Sequence, residues 1–287
     1  MKKHLNNLLY VAFFGIAALT TSCTDDDTKS ASAFTTDENH IELTGEDNMR
    51  DLGGYAGKDG KRVLYHKLFR SGELSALTDS DLSHIDTKGI LQVIDLRTAA
   101  ERTDKKDKAI SGTDRYELSL INDAGAANGG GSQTDVIGMI LSGKTTAEDI
   151  MIPAYAIDDT KITQWTKIFD LLESGKTTLW HCTAGKDRAG MTTALVLSSL
   201  GVDRQTIIAD FLLSNTYLEA ANRQTINTIN TYYGAGMGDK LIPLLGVEET
   251  YLTTFFKDID TKYGSVDNFL KTLKVDTVKM KKNFLEQ

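Results

Sequence analysis

Residues 182–188 constrain this chain more than any other segment, because a short glycine-containing loop there joins a strand-like run directly to a helix-like one. Thr177-Thr178-Leu179-Trp180 is β-branched and aromatic and reads as a strand. Residues 191–200 are almost wholly apolar and read as a buried helix. A strand that turns into a helix through so short a loop gathers backbone N–H groups and the positive end of the helix around one point, which suits an anion. The loop sequence is His181-Cys182-Thr183-Ala184-Gly185-Lys186-Asp187-Arg188-Ala189-Gly190, with a cysteine six positions before an arginine.

Each residue type has its own reason to be there. A thiol at a helix N-terminus beside a fixed cation is stabilised as thiolate, which makes Cys182 a candidate nucleophile. Arg188 offers a planar fork that grips two phosphate oxygens at once, which a lysine does less well. The amides of Thr183, Ala184, Gly185, Lys186, Asp187 and Arg188 complete the cradle, and the Lys186 ammonium is assigned to its phosphate side. Together they would stabilise charge on three equatorial oxygens while phosphorus passes to sulfur, after which water releases phosphate. A buried lone cysteine is more often a small hydrophobe, but the matching spacing and the strand-loop-helix setting favour the chemical reading.

The loop resembles that of protein tyrosine phosphatases, and HCTAGKDR is similar to the loop of a bacterial tyrosine-phosphatase family that carries HCxAGKDR. Further segments agree with that family: Asn48-Met49-Arg50-Asp51-Leu52-Gly53-Gly54-Tyr55, Leu68-Phe69-Arg70-Ser71-Gly72, Val93-Ile94-Asp95-Leu96-Arg97 with Glu101, and Tyr263-Gly264-Ser265-Val266-Asp267-Asn268-Phe269-Leu270. The resemblance implies a cysteine-dependent phosphotyrosine phosphatase working through a cysteinyl-phosphate, with some relatives also accepting phosphoserine, phosphothreonine or phosphoinositides. It also implies an acid at Asp187. One departure is Ala189, where tyrosine phosphatases usually have Ser or Thr to help the thiolate leave; Thr192 and Thr193 lie three and four residues further on. Two alternatives therefore stay open: an inositol-phosphate or phosphoinositide phosphatase, if Lys186 deepens a cationic pocket, and a catalytically weak phosphate-binding protein, if Ala189 blocks the second step.

The general acid has a second candidate site. Asp158 and Asp159 lie upstream, where other tyrosine phosphatases carry their acid on a movable loop, yet they also precede Ile162, Trp165, Phe169 and Leu172 at helical spacing and read equally as an N-cap. Arg50 and Asp51 would buttress the loop, although Gly53-Gly54 beside them is turn chemistry. Asp95 and Arg97 end an apolar strand over residues 90–96, where a salt-bridge network with Glu101 is the plainer expectation than a substrate contact. His181 abuts Cys182 without companions at ligand spacing, so neither metal nor cofactor is called for.

The chain opens with Lys2 and Lys3 before a twelve-residue apolar run, residues 8–19, too short to span a bilayer and flanked like a secretory signal. It ends in Leu19-Thr20-Thr21-Ser22-Cys23, which resembles a lipobox with Cys23 as the lipidated residue. Asp25, Asp26 and Asp27 follow, as in an export signal that takes some lipoproteins to the cell surface; a soluble linker is the alternative. The expected organisation is a signal peptide at 1–22, a polar tether at 23–40 and one domain at 41–287. With Cys23 lipidated, Cys182 has no disulfide partner in its chain. Loss of two lysines takes the net charge from −8 to −10, which disfavours nucleic acid and points to a phosphorylated protein or small phosphate ester as partner. Alternating strands and helices predict an α/β domain with a mainly parallel sheet covered on both faces. Helices are expected over 78–88, from 160 to near Gly175, from the loop to Gly201, and again from Asp203. Residues 122–149 interrupt this rhythm, as a lid or insert or as a plain loop.

Overall fold

The computed structural model describes residues 39–121 and 133–287. The apolar N-terminal run, Cys23, the three aspartates behind it and the glycines at 129–131 lie outside the described residues. In chain order the elements are β1 (Arg50–Asp51), β2 (Leu68–Ser71), α1 (Asp79–Asp86), β3 (Gln92–Asp95), α2 (Ala99–Asp104), β4 (Asp114–Glu117), α3 (Gln133–Leu141), α4 (Ala147–Ala154), α5 (Ile162–Leu172), β5 (Thr178–His181), α6 (Asp187–Ser199), α7 (Arg204–Tyr217), α8 (Glu219–Tyr233), α9 (Ile242–Leu245), α10 (Glu249–Tyr263), α11 (Val266–Thr272) and α12 (Thr277–Phe284).

The strands form one sheet in the order β1-β2-β5-β3-β4, parallel except for β1. Pleating sends alternate residues to opposite faces, and the sequence uses both. Phe69, Val93 and Leu179 pack with Ile85 of α1 on one face, whereas Leu68, Ile94 and Trp180 pack on the other with α5, α6 and the C-terminal helices. That is why these strands read as continuous apolar runs, and why the sheet is mainly parallel and covered on both sides, as expected. On the larger face Trp165 meets Phe255 and Phe269 edge-on, with ring centroids 5.9 and 6.0 Å apart.

Local signals set several boundaries. Thr78 accepts from the Asp81 amide and Asp81 from that of Thr78, a reciprocal capping box that starts α1. Asp203 caps α7 through the Thr206 amide. The helix after the catalytic-type loop starts at Asp187, four residues before the apolar run that announces it. The described part of the 122–149 stretch is not a plain loop: α3 and the start of α4 bury Ile137, Ile140, Leu141 and Ala147 in a separate small core with Ile229 and Leu241.

Because β5 is the central strand, Ser71, Asp95 and His181 come level at the carboxyl edge of the sheet. The Cys182 loop therefore leaves the sheet at its middle, with a parallel strand on either side. Trp165 is fully buried between α10 and α11, and Trp165→Ala should cost about 3–5 kcal/mol, read as a lower urea midpoint with an unchanged slope.

Candidate active site

The loop between β5 and α6 is shaped by what holds its carbonyl oxygens. Thr183 O accepts from the Glu73 amide at 2.9 Å, and Ala184 O from Asn48 Nδ2 at 2.9 Å. Arg70 Nη2 donates to Gly185 O at 2.7 Å and to Lys186 O at 3.1 Å. Across a trans peptide the N–H lies opposite the C=O. Four carbonyls drawn outward thus leave the amides of Ala184, Gly185, Lys186 and Asp187 turned to the inside of the loop, a nest for an anion. Gly185 makes this path possible: its φ is +71°, and a Cβ there would lie 2.5 Å from the backbone of Ser71 and Gly72.

Cys182 begins the loop, 1% exposed, and is the free cysteine among the described residues. Arg188 faces Glu101 as a fork: Nη1 meets Oε2 and Nη2 meets Oε1, each at 2.7 Å. Glu101 Oε1 also accepts from Thr183 Oγ1 at 2.5 Å, and Oε2 from the Thr98 amide at 2.8 Å as half of the capping box that starts α2. Burial opposes the Glu101 charge, but the hydrogen bonds and charge of Arg188 prevail and pull its carboxyl down to about 2. Glu101 thus pairs with the loop arginine rather than with Asp95 and Arg97 as the sequence suggested.

Those two belong to another network. Arg97 grips Asp95 through Nε at 3.0 Å and Nη2 at 2.8 Å, and Arg97 and Arg115 both reach Asp107 Oδ2 at 2.7 Å. His181 Nε2 lies 3.2 Å from the same Asp107 oxygen. Burial works against the Asp107 charge, yet His181, Arg97 and Arg115 hold its carboxyl below the usual range. Asp95, Asp107 and His181 bring ligand-type atoms within 4.8 Å of one another, but two guanidinium groups already bond both carboxylates, so the donor set does not fit a cation.

Beneath the loop lies a second buried ion cluster. Asp210 of α7 takes Arg50 Nε at 2.9 Å, Arg70 Nη1 at 2.8 Å and the Tyr55 hydroxyl at 3.0 Å. Burial and the charge of Arg50 lower Arg70 to about 10. Arg50 also donates to Asn48 Oδ1 at 2.7 Å, so the buttressing role expected of it is exerted through Asn48 and Arg70. Asp51 accepts from the amides of Gly53 and His66 at 2.8 and 2.7 Å, holding its own turn. Glu46 is buried behind the loop; Oε1 accepts from Gly72 N at 2.6 Å and Asn48 N at 2.9 Å while Oε2 has no partner. Burial above all pushes its carboxyl up to about 7.

The acid candidates separate. Asp187 opens α6 and accepts the Tyr155 hydroxyl at 2.5 Å on Oδ1. Lys186 Nζ sits 3.1 Å from Asp187 Oδ1 and 3.0 Å from Oδ2, and donates to the carbonyls of Leu244 and Gly246 at 3.0 and 2.9 Å. An ammonium has three donors, and these partners occupy them, so Lys186 is turned to Asp187 and the α9 end rather than to the phosphate side given it by the sequence reading. Asp158 accepts from Thr160 N at 2.9 Å and Thr160 Oγ1 at 2.6 Å, and the Thr160 hydroxyl chiefly holds its carboxyl below the usual range. Asp159 accepts from the Tyr263 hydroxyl at 2.7 Å. Asp158 thus caps the 3-10 turn Asp159–Lys161 that leads into α5, and Asp159 ties that turn to α10. Ala189 is buried, and Thr193 Oγ1 donates back to its carbonyl at 2.8 Å, so that hydroxyl does not replace the missing one.

Residues 41–286 match the tyrosine phosphatase family. This chain belongs to that family. The phosphatase is 32% identical over 245 residues to a Cupriavidus necator protein named as a tyrosine-protein phosphatase, covering 83% of this chain and 85% of that one. It is 27% identical over 265 residues to the triple specificity protein phosphatase PtpB of Mycobacterium tuberculosis, covering 80% and 92%. P. aeruginosa TpbA, solved in complex with phosphotyrosine, overlaps 67% of this phosphatase and 89% of its own chain at 14% identity and a TM-score of 0.31.

Sequence reasoning missed Asp107, Asp210, Glu46 and Tyr155. An arginine inside the apolar string Leu68-Phe69-Arg70, and an aspartate between Ile207 and Phe211, were the available signals for the lower cluster. Glu46 binds its proton more tightly in the folded chain than in the unfolded one. The associated stability is complete below about 4.5 and is lost as pH rises through about 7. Glu46→Gln keeps the acceptor for Gly72 and Asn48, so it should match the parent at pH 4 and exceed it by ~1–3 kcal/mol at pH 8 in urea denaturation.

Proposed function

We propose that Cys182 is the nucleophile, Arg188 the phosphate clamp and Asp187 the proton donor of a phosphatase acting on protein phosphotyrosine. The observation that carries this reading is the inward-facing amide nest, held by four outward-bonded carbonyls, between a buried cysteine and a pre-aligned guanidinium. In the first step the Cys182 thiolate forms an S–P bond as the ester P–O bond breaks, and the departing phenolate takes a proton from Asp187. The loop amides and Arg188 balance charge on the three remaining oxygens. In the second, water forms a P–O bond while the S–P bond breaks, its proton returns to Asp187, and Cys182 leaves as thiolate. Ala189 offers that thiolate no hydroxyl, which puts the greater demand on the second step.

The choice of phosphotyrosine draws on the names of the two relatives and on Lys186. The inositol-phosphate alternative rested on that ammonium deepening the pocket, and its donors are already occupied. Cys182→Ser should abolish turnover of a phosphotyrosine peptide while the protein still binds it in calorimetry. Arg188→Lys, which keeps the charge but loses the fork, should lower kcat about 10²-fold or more. Retention of a substantial part of the activity by the serine variant would overturn the covalent route.

We also propose that Cys23 carries lipid and that residues 24–38 tether the enzyme outside the cytoplasm, on the strength of the short apolar run, the lysines before it and the lipobox-like ending. Asn39 and His40, placed in the tether by the sequence reading, belong to the domain, where Asn39 is buried and His40 bridges to Arg50. Among the described residues no helix is long and apolar enough to cross a membrane. Acyl chains contribute ~0.8 kcal/mol per buried CH₂, so two or three hold firmly. Cys23→Ala should therefore move the protein from the membrane to the soluble fraction with its specific activity unchanged.

A further inference from the structure

We propose that Tyr155 is a positioning residue for leaving-group protonation, holding the Asp187 carboxyl in place through its hydroxyl. The proposal rests on Asp187 as the proton donor. An acid that must reach a leaving oxygen within hydrogen-bond distance needs its two side-chain torsions fixed. Asp187 opens a helix with its side chain 28% exposed, so its own packing does not fix them. Two groups do. Lys186 Nζ lies across both carboxylate oxygens, and the Tyr155 hydroxyl, thirty-two residues away in sequence, bonds Oδ1 at 2.5 Å.

Tyr155 is well suited to hold something still. It caps the end of α4 and is fully buried, its ring stacked on Tyr251 at 5.3 Å and set edge-on to Phe211 at 5.9 Å. Two further helices, α10 and α7, thereby fix the ring in space. Burial, together with the negative charge of Asp187 and of Cys182, holds the phenol protonated far above its ordinary range. The hydroxyl is thus a constant donor, unable to compete with Asp187 for the transferred proton. Oδ1 takes both the Tyr155 hydroxyl and Lys186 Nζ, whereas Oδ2 has the Lys186 ammonium beside it at 3.0 Å and is the oxygen that exchanges the proton with the leaving group and then with water. The α3–α4 segment, which supplies Tyr155, becomes part of the catalytic apparatus through this bond.

Tyr155→Phe removes one oxygen and keeps the stacked ring. The test is a series of aryl phosphates whose leaving groups span weak to strong acids, with kcat/KM measured for the parent, Tyr155→Phe, Asp187→Asn and the double variant. Misplacing the acid should lower the rate for phenyl phosphate about ten- to a hundredfold. The ester with the most acidic leaving group should lose less than about threefold. The dependence on leaving-group pKa should therefore steepen, and the double variant should be no slower than Asp187→Asn. This slope is a ratio taken on one preparation, so a reduced folded fraction does not move it. A uniform loss across the series, or no loss, overturns the proposal while a steep Asp187→Asn series leaves the acid in place. A flat Asp187→Asn series removes the acid itself, and the role of Tyr155 with it.

Discussion

A loop that is to hold an anion must first dispose of its own carbonyl oxygens, which would repel it. Here four successive carbonyls are drawn away by donors from three parts of the chain: the Glu73 amide, the Asn48 side chain and the two-fold contact of Arg70. The inward direction of the amides follows from peptide planarity once those bonds exist. Everything else near the loop either supplies one of these donors or keeps it in place. Arg70 stays aligned because Asp210 holds its other terminal nitrogen, and Asp210 stays ionised because Arg50 and Arg70 outweigh its burial. Buried clusters of this kind are poor sources of stability but good sources of fixed geometry.

Two guanidinium groups share the one carboxylate of Asp210, so this cluster leaves positive charge under the loop, while Arg188 is neutralised from the other side by Glu101. The positive charge beneath the loop favours an anion in the nest, and the loop arginine is held by a carboxylate that also caps a helix. The same Glu101 carboxyl is shared by α2, the Thr183 hydroxyl and the Arg188 fork, so the geometry of a short surface helix reaches the loop directly.

The fold was legible where sequence period and punctuation coincide. Leu179 and Trp180 before a glycine loop gave β5, and Thr78 with Asp81 gave the start of α1. The loop's place between β5 and α6 was legible because Cys182 and Arg188 stand at a fixed local spacing across it. What stayed hidden depends on contacts between distant segments: Asp210 lies 140 residues from Arg70 in sequence, and no spacing rule links them. Lys186 was misplaced for a related reason. Its neighbours in sequence are loop residues, but its ammonium is claimed by carbonyls some sixty residues later, at Leu244 and Gly246. The exchange of Glu101 from Asp95 and Arg97 to Arg188 likewise follows from α2 starting beside the loop rather than from anything in the string itself.

The close approach of Gly185 to Ser71 and Gly72 has an evolutionary corollary. A Cβ on Gly185 would meet the Gly72 nitrogen at 2.5 Å, and one on Gly72 would meet the Thr183 carbonyl at 3.1 Å and the Glu46 carboxylate at 2.7 Å. What a Cβ on Gly185 would meet is backbone of Ser71 and Gly72, so an enlargement there has no side-chain reduction to match it. Drift by compensating pairs is closed to it. A method that infers proximity from coupled substitutions would therefore be blind to the contact on which the loop's path depends, since neither partner has a tolerated change to report.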